Sequence, residues 1–147
     1  MYEYKHKVQY YETDKMGIVH HSNHIKWFEE ARVEYMEKIG LPYEEVEKEG
    51  YGCPVLEARC TYKETFTFAD IAKIVVEGEP VEKVRYNMYY TIYKGDSDKV
   101  AAKGYTTHCF LNNKGKACNL KKEKPEWYKL FKEHGIKDIE QYRKENV

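Results

Sequence analysis

Two carboxylates, Glu12 and Asp14, one glycine and three histidines are crowded into the stretch from Tyr10 to His24, YYETDKMGIVHHSNH. An aspartate such as Asp14 can act as a nucleophile or as a general base, and an imidazole such as His21 can donate a hydrogen bond or carry a proton. His20 and His24 are four residues apart. With Asp14 they would make a two-histidine, one-carboxylate metal set if a single helix face carried all three. The third reading is structural: the stretch is only a polar turn between two elements.

The flanking segments decide how these groups can be presented. Tyr4 to Tyr11 alternates in the manner of a first strand that runs directly into the motif. After the motif, Ile25, Phe28, Ala31, Arg32, Tyr35, Met36 and Ile39 recur at spacings of three and four, the apolar stripe of an amphipathic helix. Gly40 and Pro42 end it, and Ser22 or Asn23 can cap its start. The second half of the motif therefore sits at a helix N-terminus, where free backbone N–H groups and the positive end of the helix dipole collect.

A short helical piece is expected from Tyr43 to Lys48. Four runs rich in β-branched and aromatic residues follow: PVLEARCTYKETF, IAKIVVEGEPVEK, VRYNMYYTIYKG and KVAAKGYTTHCFLN. Short connections between them imply an antiparallel meander. From Pro125 onward, PEWYKLFKEHG and IKDIEQYRKEN read as a helical tail with Trp127, Leu130 and Phe131 on one side. The pattern predicts one α+β domain over residues 1–147, with a core to about residue 120 and a C-terminal helical extension over about 125–147.

Composition narrows the classes. With 25 basic and 25 acidic residues the formal net charge is zero, so no global field draws the chain to nucleic acid or to an anionic membrane. No apolar run is long enough to span a bilayer, and the start MYEYKHKVQYYE lacks a signal-peptide core, which gives an expectation of a cytoplasmic protein. Cys53, Cys60, Cys109 and Cys118 show no CxxC spacing and read as reduced, packing thiols.

Tyr11, Thr13, Asp14, Gly17, Ile18, Val19, His21 and Asn23, followed by Trp27-Phe28 and Arg32, resemble the active-site segment of hotdog-fold acyl-CoA thioesterases of the 4-hydroxybenzoyl-CoA thioesterase and YbgC type. Gly40-Leu41-Pro42 and the run from Gly104 to Phe110 extend the likeness over roughly the first 120 residues. The resemblance implies an antiparallel sheet wrapped around a long central helix, and hydrolysis of an acyl-CoA to the free acid and CoA without a metal or other cofactor. By position it makes Asp14 the nucleophile or general base, the His21 backbone N–H the donor to the thioester carbonyl, and Gly17 the residue that lets the loop approach the substrate. The His21 imidazole is a second possible donor.

The resemblance also makes Tyr11, Thr13, Ile18, Val19, Asn23 and His24 substrate-lining positions, with His24 standing where relatives often carry tyrosine. Arg59, Lys63 and the run Lys121-Lys122-Glu123-Lys124 are candidates for the CoA phosphates, and that run equally for an acyl carrier protein. Arg32, on the apolar face, is expected to pair with a carboxylate such as Glu12 or one from a second subunit. His108 is expected to be a satisfied sheet histidine, and Asn23 a helix cap or an orienting group for Asp14. A homodimer or homotetramer follows from the resemblance. The competing classes are a non-catalytic acyl-CoA or acyl-carrier-protein binding module and a metal-dependent hydrolase.

Overall fold

A computed structural model describes residues 1–146. It consists of β1 (Tyr2–Lys7), α1 (Asn23–Ile39), α2 (Tyr43–Lys48), β2 (Val55–Tyr62), β3 (Ile71–Gly78), β4 (Arg85–Lys94), β5 (Val100–Leu111), β6 (Ala117–Cys118), α3 (Leu120–Glu123), α4 (Pro125–His134) and α5 (Ile139–Asn146). The five main strands form one antiparallel sheet in the order β1-β3-β4-β5-β2, and β6 adds to β5. The architecture is α+β, as expected. The meander holds only from β3 to β5, because β2 crosses to the far edge and pairs with β5.

The α1 stripe is buried at Phe28, Ala31, Arg32, Tyr35, Met36 and Ile39, as its spacing predicts, and Trp27 joins it. Ile25 is only partly buried. Gly40 stops the helix at φ 103°, in the left-handed region that costs other residues a Cβ clash, and its N–H reaches back to Glu37 and Met36. The helix packs against β1, β2 and β3. Its Phe28 ring reaches the sheet over Gly104 and stacks on Tyr90 with centroids 4.2 Å apart. A Cβ on Gly104 would lie 2.7 Å from that ring and 2.1 Å from the Arg59 carbonyl oxygen, so only glycine fits between helix and sheet.

The first strand is shorter than its alternation suggests. Glu12 takes the Gln9 N–H on its Oε1 at 2.8 Å while its own N–H donates to the Gln9 carbonyl, so Tyr10–Glu12 closes into a single 3-10 turn instead of extending the sheet. At the other end of the chain, α4 places Trp127, Tyr128 and Phe131 in the same core as α1 and the sheet. Helix α5 lies on the outer sheet face: Tyr142 meets Tyr89 with centroids 4.9 Å apart, and Arg143 grips the buried Glu79 carboxylate at 2.6 Å. Cys53, Cys109 and Cys118 are buried, Cys60 is half-buried, and all four are free thiols.

Candidate active site

The motif folds as a tight loop between the 3-10 turn and α1. Thr13 and Val19 bridge in antiparallel fashion, the Asp14 N–H donates to the Ile18 carbonyl at 2.8 Å, and the Gly17 N–H returns to the Asp14 carbonyl at 2.9 Å. Gly17 has φ +79°, and a Cβ there would meet nothing within 4 Å. Its glycine is therefore demanded by backbone angle, and the space above the loop is open. Asp14 Oδ1 accepts the Met16 N–H at 2.8 Å, which fixes the carboxylate and leaves Oδ2 without a partner among the described residues.

Glu12 anchors this loop to α1, a role the sequence reading did not assign. Its buried carboxylate accepts from His6 Nε2 at 2.7 Å, from the Gln9 N–H and from the Trp27 indole N–H at 2.8 Å, while its carbonyl accepts from the His20 N–H and the Asn23 amide. Burial works to raise its pKa, but the Gln9 N–H, His6 and Trp27 outweigh it and hold the carboxyl below its ordinary value. Arg32 is thus not the partner of Glu12. Its guanidinium lies 3.4 Å from His108 Nε2 and 3.9 Å from Glu29, because Arg32 sits two turns along the helix from the loop.

Asn23 is not a cap. It is the first residue of α1, and its side-chain amide donates back to the Glu12 carbonyl at 2.9 Å and to the His20 carbonyl at 3.3 Å, clamping the loop from inside. Ser22 occupies the capping position, but its side chain makes no cap hydrogen bond and turns to His20. Both the Ser22 hydroxyl, at 2.8 Å, and the Ser22 N–H, at 3.2 Å, donate to His20 Nδ1, which assigns the His20 proton to Nε2.

His21 precedes the helix with its ring exposed, and its N–H has no acceptor among the described residues. Its carbonyl is held from two sides, by the Tyr62 hydroxyl at 2.7 Å and by His24 Nδ1 at 3.3 Å. That contact makes Nδ1 the protonated nitrogen of His24. The ring is buried among Tyr62, Trp27 and Phe66, and burial pushes its pKa down to about 4, so it is neutral at pH 7.

Asp14, Ile18, Val19, His21, His24, Tyr62 and Phe66 line one cavity of about 230 Å³. Tyr11, Thr13, Asp14, Lys15, Asn23 and Lys26 line a second, open groove of about 690 Å³. Asp14, whose Oδ2 has no partner among the described residues, and His21, whose backbone N–H is unengaged just before α1, thus line the same compact cavity. Such a pair suits addition to a carbonyl: a base or nucleophile beside a donor for the developing oxyanion.

The family model for the thioesterase-like superfamily matches residues 8–133. The chain belongs to this superfamily. The match takes in α4, which lies beyond the residue near 120 where the resemblance was expected to stop. A protein of Aquifex aeolicus (strain VF5) that carries the name of an esterase is 37% identical over 120 residues, 82% of this chain and 91% of its own length. YneP of Bacillus subtilis (strain 168), named as an acyl-CoA thioesterase, is 28% identical over 126 residues, 85% of this chain and 91% of its own. Among solved structures, a DHNA-CoA thioesterase from Staphylococcus aureus superposes with a TM-score of 0.83 at 26% identity, covering 99% of this chain and 94% of that one. The α+β sheet-and-helix arrangement is that of hotdog thioesterases, and the chain is a thioester hydrolase.

In this thioesterase the remaining expected residues fall elsewhere. Arg59 alternates on β2 with Cys60 and Tyr62, which face the core and the loop, so its side chain is on the opposite sheet face, in a cavity with Thr61, Lys103, Tyr105 and Tyr142. Lys63 follows the end of β2, is exposed, and lines neither cavity at Asp14. Lys121 to Lys124 fall in and after α3, away from the loop's own lining. His108 is fully buried: its Nδ1–H donates to the Pro54 carbonyl at 3.2 Å and its Nε2 accepts from Thr106 at 2.7 Å. Among the described residues, no three His, Cys, Asp or Glu side chains come together as a metal-binding group. No helix is long and apolar enough to cross a membrane.

The sequence reading missed Tyr62 and Phe66 as well as Glu12. Glu12 lay inside the quoted motif, and its signal was a carboxylate three residues after Gln9. Tyr62 and Phe66 reach the loop only through the β2 crossover, which no local pattern encodes.

Proposed function

We propose that this thioesterase hydrolyses an acyl-CoA to the free acid and CoA without a metal, with Asp14 as general base. The observation that carries the reading is the 230 Å³ cavity that Asp14 and His21, the residue just before the cap of α1, both line. Asp14 Oδ2 takes a proton from a water, the oxygen of that water attacks the thioester carbon, and the His21 N–H receives the negative charge that develops on the carbonyl oxygen. Collapse of the adduct breaks the carbon–sulfur bond, and the proton held by Asp14 passes to the departing thiolate. The free Oδ2 and the hydrogen bond that orients Oδ1 support this assignment.

The cavity is smaller than the several hundred Å³ typical of sites for drug-sized ligands, and Tyr62, Phe66 and His24 give it aromatic walls. A compact acyl group fits it better than a long chain. The names of two relatives, DHNA-CoA thioesterase and gentisyl-coenzyme A thioesterase, agree with an acyl group built on rings. We further propose the hotdog arrangement in which the sheet curves around α1. We propose a homodimer formed through β2, an edge strand exposed along most of its length with Val55, Leu56 and Tyr62 open to solvent.

The test is free-thiol release from short, long and aromatic acyl-CoAs by wild type and Asp14→Asn, with and without chelator. Asparagine keeps the acceptor for the Met16 N–H but cannot take a proton, so turnover should fall by about 10²- to 10⁴-fold with the fold intact. Equal activity in the variant would overturn the assignment of Asp14.

A further inference from the structure

The two cavities at the loop differ in character and share a single lining residue, Asp14. The smaller one has no lysine or arginine in its wall, and its one other carboxylate, Glu64, is paired with Lys99 at 3.2 Å. The larger groove is lined by Lys15 and Lys26, and Asp14 is its only acidic wall residue. Lys5, Lys94, Lys99 and Lys124 are ion-paired, whereas neither Lys15 nor Lys26 has a carboxylate partner among the described residues. Beside them Tyr10 and Tyr11 are 77% and 80% exposed, unusual for aromatic side chains with no role in the core. Tyr10 is propped edge-on against Phe68 at 5.6 Å, and both tyrosines remain available to the groove.

We propose that this groove is the site of the substrate's nucleotide half, with Lys15 and Lys26 holding phosphates of CoA and Tyr10 and Tyr11 offering ring faces to its adenine. The proposal rests on the acyl-CoA reading above and gives it a direction. The thioester lies at Asp14, the residue that lines both cavities, the acyl group enters the 230 Å³ cavity, and the thiol arm runs out into the 690 Å³ groove. The reverse orientation would set several negative charges against apolar rings and Glu64 in the smaller space, a large desolvation cost with no compensating cation. This places the phosphate-binding cations at Lys15 within the motif and Lys26 just after it, and not at Arg59 or Lys63.

Lysine contacts to phosphate are charge-assisted but solvent-screened, so together they should contribute about tenfold or more in specificity and weaken with salt. The experiment compares an acyl-CoA with the N-acetylcysteamine thioester of the same acid, which has the reacting bond but no nucleotide. The preference for the CoA thioester, as a ratio of kcat/KM values, should drop about tenfold in Lys15→Ala/Lys26→Ala and stay at the wild-type value in Lys114→Ala, a change in the turn after β5. The loss should appear in KM. Binding of CoA alone, followed by calorimetry, should weaken in parallel and become less salt-dependent.

A wild-type enzyme that treats the two thioesters alike, or a double variant that keeps its preference, overturns the proposal. Wild type that cleaves neither thioester counts against the acyl-CoA reading, and calorimetry then decides this one separately. CoA binding lost in the double variant supports the groove; CoA that does not bind, or binds the double variant equally, refutes it.

Discussion

The Trp27 indole N–H donates to Glu12 Oε2 at 2.8 Å, across fifteen residues of sequence, and so ties the loop carrying Asp14 to the helix whose N-terminus it faces. Both side chains are buried. Glu12→Gln replaces an acceptor-only group by one whose amide must face donors from Gln9, His6 or Trp27. It is expected to cost about 2–3 kcal/mol, the range for hydrogen bonds to a buried charged group. Urea unfolding measures the loss, and kcat should fall too, since the same residue fixes the loop. An unchanged denaturation midpoint would mean that the anchor lies elsewhere.

Gly17→Ala tests the turn without crowding it. Nothing lies within 4 Å of the added methyl group, so the expected penalty is that of φ +79°, about 1–2 kcal/mol. For a chain of this size that corresponds to a melting temperature lower by roughly 2–8 °C. The loop would relax instead of the core, so activity should fall by more than the folded fraction does. Equal losses of both would mean that the turn has no part in placing Asp14.

Stability should decline as pH falls from about 6.5 towards 4. His24 and His108 are both held near 4, burial being the main cause in each and Arg32 adding to it for His108. Unfolded histidines titrate at about 6.5, so between these values the unfolded chain binds protons that the folded chain refuses, and acid favours unfolding. Each histidine should contribute on the order of 2 kcal/mol of stability above pH 6.5, lost progressively below it. Glu12, whose carboxyl is depressed, acts with the same sign at lower pH, its contribution vanishing as the group protonates. Urea midpoints at pH 7.5, 5.5 and 4.5 check the slope, and a flat profile across that range would contradict the burial of both rings.

Gly104→Ala should be the most damaging small substitution. The methyl group would enter 2.1 Å from the Arg59 carbonyl oxygen and 2.7 Å from Phe28, and neither a paired backbone nor a ring stacked on Tyr90 can yield cheaply. The expected loss exceeds about 3 kcal/mol, at the upper end for overpacking. A soluble variant with a wild-type melting curve would refute this account of how helix and sheet meet.

Much of this was legible in the sequence where it depended on neighbours along the chain. The stripe of α1, the stop at Gly40 and the span of α2 follow from spacing and from single residues with strong backbone preferences. Tyr4 to Tyr11 was misleading because alternation continues past Lys7, while the hydrogen bond between the Glu12 side chain and the Gln9 N–H, which ends the strand, leaves no periodic trace. The crossover of β2 was illegible for another reason: its residues are exposed on both faces, so no pattern shows that it pairs with β5 and not with β3. The same crossover brings Tyr62 to His21 and carries Arg59 to the other face. The motif could therefore reveal the loop, but not the strand that completes its wall.

A thioester hydrolase releases a thiol at every turnover, and once an oxidant has converted that product to its disulfide, exchange with a protein thiolate gives a mixed disulfide. The cysteines of this chain are poorly placed to accept it. Burial pushes Cys53, Cys60 and Cys118 up to about 11, so almost none of each is thiolate at neutral pH, and Cys109 is shut inside the sheet. The fold insulates the catalyst from its own product, and Ellman-type reagents can follow that product with little background from the protein.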